Sequence, residues 1–357
     1  MTDANAPERL LDSMERVAAF RPAPGRRQTS ADWDEIRAGA TADVYFARGA
    51  DILRRIGRLD TPVVAEVFSQ GEGLLCGVEE ALGLLMGRRV DVDGLAEGEA
   101  FGPKEPVLRL TGPYGAFGLF ETALLGILAS ASGWATAARR VREAAPDALL
   151  ISFGARHVHP AVASTMERAA VVGGLDGAAS VLAARLVGKE PVGTVPHAVV
   201  LLAGDTVQVA QLLAADGVDG PVTVLVDTYH DEVEESLRVA EALGPALAGV
   251  RLDTPAERGG VTPGLVQEVR ARLDRSGFGD VQIFVSGNLT PERILLLQAA
   301  GATRFGVGHY VSSAAPIDMT MDLKVIDGRD VAKRGRLPGQ TPTERLRPRL
   351  RGGSLIS

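Results

Sequence analysis

From residue 148 onward the chain repeats one pattern: a short apolar run, a polar or glycine-containing corner, and a helical stretch. The apolar runs cover residues 148–153, 170–173, 192–195, 222–226, 248–252, 281–285 and 304–307. Continuously apolar strands that alternate with helices are typical of a parallel sheet buried on both faces. Seven repeats within about 160 residues favour a closed, irregular seven-stranded parallel α/β barrel over an open doubly wound sheet. No GxGxxG or GxxxxGK[ST] loop follows any run, which argues against a dinucleotide or P-loop site.

The segments on either side of the repeats have a different sequence pattern from the repeats themselves. Residues 1–115 mix helical stretches with short strand-like runs broken by Gly and Pro, which predicts an α+β domain that residues 311–350 complete. Residues 116–310 are predicted to form linking helices and the barrel, and residues 351–357 a flexible tail. The basic stretch 333–351 carries seven positive residues against Glu344 alone, and we interpret it as a solvated segment.

Composition excludes several classes of protein. The net charge of −7 argues against a general nucleic-acid binder, because phosphate contacts need clustered Lys and Arg. The single cysteine, Cys76, excludes an internal disulfide and a cysteine-based metal site. No apolar run approaches the ~20 residues that cross a bilayer, and acidic residues interrupt the first twenty positions. We therefore expect a cytoplasmic protein with no membrane or nucleic-acid partner.

Reactive side chains stand just past the apolar runs. In a parallel barrel these positions converge on one rim, where the chemistry takes place. The candidates are Phe153, Arg156, Asp176, Thr194, His197, Asp227, Arg251, Asp253, Ser286, Gly287, Asn288, Gly306, Gly308 and His309. Two arginines, three aspartates and two glycine-bearing corners on one rim indicate a site for an anionic ligand.

The last two corners favour phosphate. In many barrels the loops after the late strands bind phosphate with bare backbone N–H groups. Ser286, Gly287 and Asn288 close the sixth run, and Gly306 and Gly308 close the seventh. The alternative is that these glycines only make the turns.

The other candidates have alternatives of their own. Arg156 and Arg251 could clamp a carboxylate or phosphate, or form structural ion pairs. Asp227 and Asp253 could hold ribose hydroxyls or Mg²⁺, although Asp227 could instead cap a helix. No pair of histidines has zinc-site spacing, so no structural metal is predicted.

Two further residues stand out beside a strand end. Phe153 could stack on a flat ring or belong to the core. His197, held by Pro196 beyond the third run, is the best candidate for covalent or acid–base work.

Seven motifs in order carry a family resemblance over nearly the whole chain. They are FGARHVHP (153–160), GGLDGAAS (173–180), GTVPHAVV (193–200), VDTYHDE (226–232), VRLDTP (250–255), FVSGNLTPERI (284–294) and FGVGHYV (305–311). With these motifs the chain resembles the type II phosphoribosyltransferases, and specifically the nicotinate phosphoribosyltransferases. The resemblance implies transfer of a phosphoribosyl group from phosphoribosyl pyrophosphate to nicotinate, with Mg²⁺, coupled to ATP hydrolysis through a phosphohistidine.

The same resemblance implies roles for single residues. Phe153 would stack on the pyridine, and Tyr45 of a partner subunit would cover its other face, which makes a homodimer the minimum unit. Arg156 would contact the substrate carboxylate or phosphate, Asp176 would lie close to the pyridine, and His197 would be phosphorylated. The ribose, pyrophosphate and Mg²⁺ region would involve Asp227, Arg251 and Asp253, with Thr194 also binding substrate; the 5′-phosphate cradle would involve Gly287, Gly306 and Gly308.

The chain also departs from the family's pattern. His230 stands where an acidic residue is expected, and a C-terminal cysteine cluster found in some relatives is absent. The stretch from Glu121 with Ala135-Thr136-Ala137 also resembles the quinolinate enzyme, which decarboxylates its substrate without ATP. The alternatives are therefore a transferase for quinolinate or nicotinamide, or a non-catalytic barrel that binds phosphosugar nucleotides.

Overall fold

The computed structural model describes residues 10–215 and 221–356. It divides the chain into two compact units: one formed by Met1–Gly133 with Ala315–Ser357, the other by Trp134–Ala314. We call them unit 1 and unit 2. The first predicted domain boundary, at residue 116, lies within unit 1, and the division falls inside one long helix.

The described helices are α1 (Met14–Ala19), α2 (Trp33–Arg37), α3 (Val44–Arg55), α4 (Val78–Leu85), α5 (Glu121–Ala144), α6 (Pro160–Val172), α7 (Val181–Leu186), α8 (His197–Ala203), α9 (Thr206–Ala215), α10 (Glu232–Leu243), α11 (Pro263–Arg275), α12 (Pro291–Ala299) and α13 (His309–Ser312). The described strands are β1 (Pro62–Ser69), β2 (Gly73–Leu74), β3 (Asp91–Gly94), β4 (Ala100–Phe101), β5 (Pro106–Pro113), β6 (Leu149–Ser152), β7 (Gly177–Ala178), β8 (Val222–Leu225), β9 (Leu247–Leu252), β10 (Gln282–Ser286), β11 (Arg304–Val307), β12 (Met319–Ile326), β13 (Arg329–Asp330), β14 (Arg347–Arg351) and β15 (Ser354–Leu355).

Unit 1 is built on an antiparallel sheet with strand order β13-β12-β1-β5-β3-β14-β15. Its centre is β1, which pairs with β5 on one side and β12 on the other. Alternating strand residues such as Val63, Ala65 and Val67 are buried and pack with the apolar face of α4 and the first half of α5. The C-terminal part of the chain thus supplies strands to the N-terminal sheet.

The end of the basic stretch, strand β14, is part of this sheet, whereas Lys333 and Arg334 are exposed, as expected of a solvated segment. Arg345 pairs with Glu105, and Arg351 pairs with Asp93. Strand β14 pairs with β3, and β15 pairs back on β14, so Arg351, Ser354 and Leu355 of the segment predicted as a flexible tail lie in paired strands. In β14, arginines stand on both sides of Leu350, which is fully buried. This alternation is typical of a strand, but it is hard to recognise in the sequence because most of the neighbouring residues are charged.

Unit 2 contains a six-stranded parallel sheet with strand order β7-β6-β11-β10-β9-β8. Followed around a circle this is the order of the chain itself, as in a barrel, with one opening between the edges β7 and β8. Buried residues of the strands and of α10 to α12 form one continuous core. The predicted parallel α/β architecture is present, but the described residues give six strands and an open edge, not a closed seven-stranded barrel.

The predicted strand at 170–173 is wrong. These residues form the end of α6, and the strand is β7, which begins only at Gly177. The reason is close helix packing: a Cβ on Gly173 would lie 2.3 Å from the carbonyl oxygen of Ala135 on α5. The glycine therefore permits contact between helices and does not mark a strand end.

The predicted strand at 192–195 is also wrong, because this segment has no regular structure. Its backbone bonds to the neighbouring edge from Val192 N to Ala178 O, at 3.0 Å. Pro191 and Pro196 flank it and have no N–H to donate to a ladder. The segment lies where the sheet is open.

One helical stretch of the described chain, Gly118–Ala144, is long and apolar enough to cross a membrane by length and composition, and α8 with α9 passes only as a sharply bent pair. Half of the apolar window in Gly118–Ala144 is buried in the protein, as in a core helix, so the signal is weak.

Candidate active site

The carboxyl ends of the unit 2 strands enclose a cavity of about 330 Å³. Its lining comes from the corners after β6, β9, β10 and β11, which in a parallel sheet all open to the same side. The lining includes Phe153, Arg156, His157, Arg251, Asp253, Ser286, Gly287, Asn288, Arg293, Gly306, Gly308 and His309. Three arginines against one aspartate make this a cavity for an anion.

Arg251 connects the corners of the rim. Its Nε donates to Ser286 Oγ at 2.9 Å, Nη1 to Thr194 Oγ1 at 2.8 Å, and Nη2 to Asp253 Oδ2 at 3.0 Å. Ser286 Oγ in turn donates to Asp253 Oδ1 at 2.9 Å. Burial lowers the pKa of Arg251 from its ordinary value, and the charge of Asp253 opposes that shift, so the guanidinium stays a cation.

Phe153 lies beneath Arg251 at the end of β6. The Arg251 guanidinium carbon is 5.0 Å from the centre of the Phe153 ring, and the ring of Phe284 packs 5.6 Å away on the core side. Gly306 makes room for the ring, since a Cβ there would come within 2.4 Å of Phe153. The phenyl ring therefore has a fixed position and one face next to a cation, which suits a flat anionic ring.

The two glycine-bearing corners have the backbone that a phosphate cradle needs. Gly287 has φ +92° and Asn288 φ +49°, so two consecutive residues adopt left-handed conformations after β10. Gly308, after β11, would place a Cβ 2.8 Å from the His157 ring. Glycine here leaves backbone N–H groups accessible to a ligand, in the manner of anion-binding nests.

His197 is the first residue of α8, at the open edge of the sheet. Its Nδ1 lies 3.0 Å from Thr228 Oγ1, and its Nε2 is 4.0 Å from Asp227 Oδ1 and 3.9 Å from Asp253 Oδ2. The imidazole is 40% exposed, so a ligand can reach it. One nitrogen is thus held by a hydroxyl while the other faces two carboxylates and solvent.

Asp227 has a buried carboxylate that the protein satisfies only in part. Oδ2 accepts a bond from the backbone N–H of Asp253 at 3.0 Å, whereas Oδ1 has no hydrogen-bond partner among the described residues. Burial raises the pKa of Asp227, and nearby His197 opposes the rise. The alternative role as a helix cap is excluded, because Asp231 caps α10.

One predicted residue is not brought to this rim, and Tyr45 was expected at a partner's site. Asp176 precedes β7, and its carboxylate accepts bonds from Leu150 N and Arg142, at the strands' amino ends. The misplaced strand at 170–173 is the source of this difference. Tyr45 belongs to unit 1, where it lies in the first turn of α3 and is 57% exposed.

Several lining residues were not predicted as site residues. His157 follows Arg156 in a short turn, Arg293 lies in the first turn of α12, and the loop 254–261 covers one side. His309 was expected on the rim, but no role was predicted for it. The signal for Arg293 was available, since it stands inside the motif FVSGNLTPERI, but an arginine in a helix is typical of solvated surface.

Sequence comparison identifies the family. The model described as quinolinate phosphoribosyl transferase, N-terminal domain, matches residues 43–132, and the model of its C-terminal domain matches residues 134–322. A nicotinate phosphoribosyltransferase of Mycobacterium tuberculosis, pncB1, is 33% identical over 256 residues, which cover 69% of this chain and 56% of the relative. A second, pncB2, is 33% identical over 83% of this chain and 67% of its own length. The chain thus spans a little over half of the first of these relatives.

Solved structures show the same fold. The crystal structure of nicotinate-nucleotide pyrophosphorylase from Pyrococcus furiosus is 39% identical, with a TM-score of 0.86 over 93% of this chain and 94% of that one. The human nicotinic acid phosphoribosyltransferase is 20% identical with a TM-score of 0.68, over 88% of this chain and 90% of that one, and supports the fold alone.

Proposed function

The chain belongs to the type II phosphoribosyltransferase family, and on that premise we propose that it transfers a phosphoribosyl group to nicotinate. The products are nicotinate mononucleotide and pyrophosphate, as a step of NAD synthesis. The observation that carries the proposal is the Arg251 network over Phe153, which sets a flat aromatic surface next to a buried cation and two glycine corners.

The pyridine is proposed to stack on Phe153. In that position its carboxylate is within the field of Arg156 and Arg251, which both line the cavity. Stacking fixes the ring nitrogen relative to the sugar carbon that it attacks. Such positioning supplies a large part of the rate in a reaction that needs no protein nucleophile.

The phosphoribosyl pyrophosphate is proposed to lie across the rim, with its 5′-phosphate in the corners Gly287–Asn288 and Gly306–Gly308. Departure of pyrophosphate leaves an electron-deficient sugar and concentrates negative charge on the leaving group. Arg251 stabilises that charge, and Asp253 stabilises the sugar side.

Mg²⁺ is the cation that this chemistry requires, and the residues present fit it. The buried, unpartnered Oδ1 of Asp227 and the neighbouring Asp253 are oxygen ligands of the kind that Mg²⁺ takes together with substrate phosphates. The described residues contain no group of three or more His, Cys, Asp or Glu arranged for a metal, which agrees with a cation held largely by substrate. When bound, it would neutralise charge on the pyrophosphate.

Coupling to ATP is proposed through His197. In the tautomer with Nδ1–H donating to Thr228, the lone pair of Nε2 accepts the γ-phosphoryl group, and ADP leaves. The bond to Thr228 holds the ring in orientation, and Asp227 and Asp253 lie about 4 Å from Nε2, on the side where the phosphoryl group arrives. This role is supported by the exposure of the imidazole and by the motif GTVPHAVV.

A second candidate is the quinolinate reaction. It is favoured by the name of the family models that match both parts of the chain. Quinolinate has two carboxylates, and the cavity offers a third guanidinium, Arg293, in addition to Arg156 and Arg251. That reaction does not use ATP, so it would give His197 no role in phosphoryl transfer.

A homodimer or higher homo-oligomer with shared sites is proposed as the working unit. Tyr45 and its neighbours Val44 and Ile52 on α3 expose apolar surface. So do Leu201 and Leu202 on α8, next to His197. Exposed apolar groups of this size on two surfaces support association.

The test is a product assay. The protein is incubated with phosphoribosyl pyrophosphate, Mg²⁺ and ATP, and with nicotinate, quinolinate or nicotinamide in separate reactions. We expect mononucleotide by mass spectrometry from nicotinate. Product from quinolinate alone, with release of carbon dioxide, would support the second candidate, and ligand binding with no turnover would support a binding protein.

A further inference from the structure

Two histidines line the cavity beside Gly308, in a corner where we propose that the 5′-phosphate binds. His157 follows Arg156 after β6, and His309 begins α13 after β11. Their rings meet edge to face, with centres 5.6 Å apart and planes at 82°. Both line the same cavity as Gly306 and Gly308.

Neither imidazole has a hydrogen-bond or ion-pair partner in the described part of the chain. Within residues 10–215 and 221–356 no such bond is made by the ring nitrogens of His157 or His309. The third nearby histidine, His159, is different, because its Nδ1 accepts a bond from Ala161 N and caps α6. Two aromatic bases of this kind, facing a cavity lined by arginines, are available to an anionic ligand.

The backbone keeps His157 in this place. A Cβ on Gly308 would lie 2.8 Å from His157 Cε1 and 2.9 Å from the carbonyl oxygen of Phe153. The glycine of the predicted phosphate corner is therefore also the surface on which the imidazole rests. An anion bound to that corner is placed beside the His157 ring.

Burial and the neighbouring charges disfavour protonation of His157 in the free protein. Burial lowers the pKa of His157 from its ordinary 6.5, and the charges of Arg156 and His309 lower it further. Helix α6, which packs on the same turn, carries Glu167, whose Oε2 accepts from Ser180 N, and Arg168. The remaining charged groups of the cavity are Arg251, Arg293 and Asp253.

We propose that His157 and His309 form a proton-linked grip for the 5′-phosphate, which takes up a proton from solvent when a dianionic phosphate monoester binds. The inference rests on the proposed phosphoribosyl site and adds two residues and a pH dependence to it. A dianion in the cavity offsets the positive charge of Arg156, so the imidazole pair gains a proton that it lacks in the free protein. Affinity then increases as the pH falls.

The size of the effect follows from linkage. If one proton is taken up, the dissociation constant for the phosphate falls by up to about tenfold for each unit of pH decrease. The effect is expected above the lowered pKa of free His157, where the free ring is neutral, and above about pH 6, where the ester is largely dianionic.

The experiment is calorimetric titration of the full-length protein with ribose 5-phosphate at about pH 7.5, in two buffers of different ionisation enthalpy. The difference in observed heat gives the number of protons taken up, after correction for the ester itself. We expect uptake by the wild type, and at least a halving of that uptake in His157→Asn and His309→Gln.

The matched control is His159→Asn. It removes an imidazole two residues from His157 while retaining a good helix cap, and we expect unchanged uptake. As a second readout, the histidine Cε1–H resonances of the wild type should shift toward the protonated form on addition of ribose 5-phosphate.

The possible outcomes distinguish a failure of the histidine proposal from a failure of the proposed phosphate site. Binding of ribose 5-phosphate with pH-independent affinity, or with equal proton uptake in all variants, would overturn the histidine grip and leave the phosphate site intact. No binding to the folded wild type would overturn both.

Discussion

At the scale of single residues, Arg251 organises the candidate site. It joins Thr194, Asp253 and Ser286 and covers the ring of Phe153. Each of these partners was expected on the rim from its place after an apolar run. What sequence could not show is that one guanidinium contacts all of them, because the contacts join residues 35 and 57 positions from Arg251.

His197→Ala is expected to abolish stimulation by ATP while slow transfer continues. In the wild type we expect ATP to raise kcat/KM for phosphoribosyl pyrophosphate at least about tenfold, which is about 1.4 kcal/mol of coupling. The measurement is steady-state kinetics with and without ATP, together with acid-labile ³²P incorporation from γ-labelled ATP.

His230→Gln is the control, since its Nε2 lies 4.0 Å from Glu235 Oε2 and it stands two residues after Thr228, which contacts His197. This variant should keep both the ³²P incorporation and the stimulation of transfer by ATP. An ATP response in His197→Ala equal to that of the wild type would exclude the phosphohistidine.

Glu121 in unit 1 has a carboxyl group whose pKa depends on burial. Burial raises the pKa of this carboxyl from its ordinary 4.5 to about 7, with the charge of Asp322 adding to the rise. A raised pKa means that the folded state holds the proton more tightly than the unfolded state does. The contribution to stability is therefore full below about pH 4.5 and is lost as the pH rises through about 7.

Glu121→Gln removes that loss. We expect the Tm difference between the variant and the wild type to be about 2 °C larger at pH 8 than at pH 5. The gain is modest because the side chain is partly solvated. Glu72→Gln, at an exposed position, should show no such trend. A Tm difference that is the same at both pH values would show that Glu121 is ionised throughout.

At the scale of elements, the parallel sheet of unit 2 was largely predictable. Five of seven predicted runs coincide with strands, because short continuous blocks of Val, Ile and Leu strongly favour buried strands. The two failures have separate physical causes. Residues 170–173 are β-branched and small, yet they end α6 against α5, and tertiary packing decided their state. Residues 192–195 are flanked by prolines that cannot complete a ladder.

The loop 254–261 illustrates what local sequence cannot show. It lines the cavity, and buried Glu232 at the start of α10 secures it: Oε1 accepts from Thr254 Oγ1 at 2.8 Å, and Oε2 lies 3.4 Å from Arg258. The acidic residue has the sequence context of an ordinary first-turn helix residue. Only the fold reveals that it holds a wall of the site.

Glu232→Gln is expected to loosen this loop. The amide can still accept from Thr254, but the ion pair with the half-exposed Arg258 is lost, at a cost of about 1 kcal/mol. We expect a three- to tenfold rise in KM for phosphoribosyl pyrophosphate, roughly what 1 kcal/mol gives, with a smaller change in kcat.

Trypsin offers a second readout, because cleavage after Arg258 should become faster. Glu234→Gln, on the same helix but exposed, is the control and should change neither quantity. If Glu232→Gln has wild-type kinetics and wild-type cleavage, the ion pair does not secure the loop.

At the scale of the whole molecule, the chain consists of two units with different sheets. The pattern along the sequence predicted two parts with different architectures. The division between the units lies at Gly133, however, inside α5, where nothing in the sequence interrupts the helix. The family resemblance placed Tyr45 at a neighbour's site, and unit 1 exposes that side chain. The proposed shared site would make activity a property of the assembly.

Complementation tests the shared site. Tyr45→Ala and Arg251→Ala should each be nearly inactive, since one removes the ring that a subunit lends and the other the guanidinium of its own site. After mixing in equal amounts and exchange of subunits, half of the dimers are mixed and each carries one intact site, so about a quarter of wild-type activity should return. Activity that stays at the level of the two variants would show that each chain completes its own site.

We propose that this cavity takes nicotinate as the acceptor of the phosphoribosyl group. The most direct measurement is a competition in one vessel, with equal nicotinate and quinolinate, limiting phosphoribosyl pyrophosphate, Mg²⁺ and ATP, and isotopically distinct pyridine rings. We predict that at least about nine-tenths of the mononucleotide carries the nicotinate label, which corresponds to about tenfold or greater discrimination in kcat/KM. Mononucleotide that carries mainly the quinolinate label, formed equally well without ATP, would show that nicotinate is not the preferred acceptor.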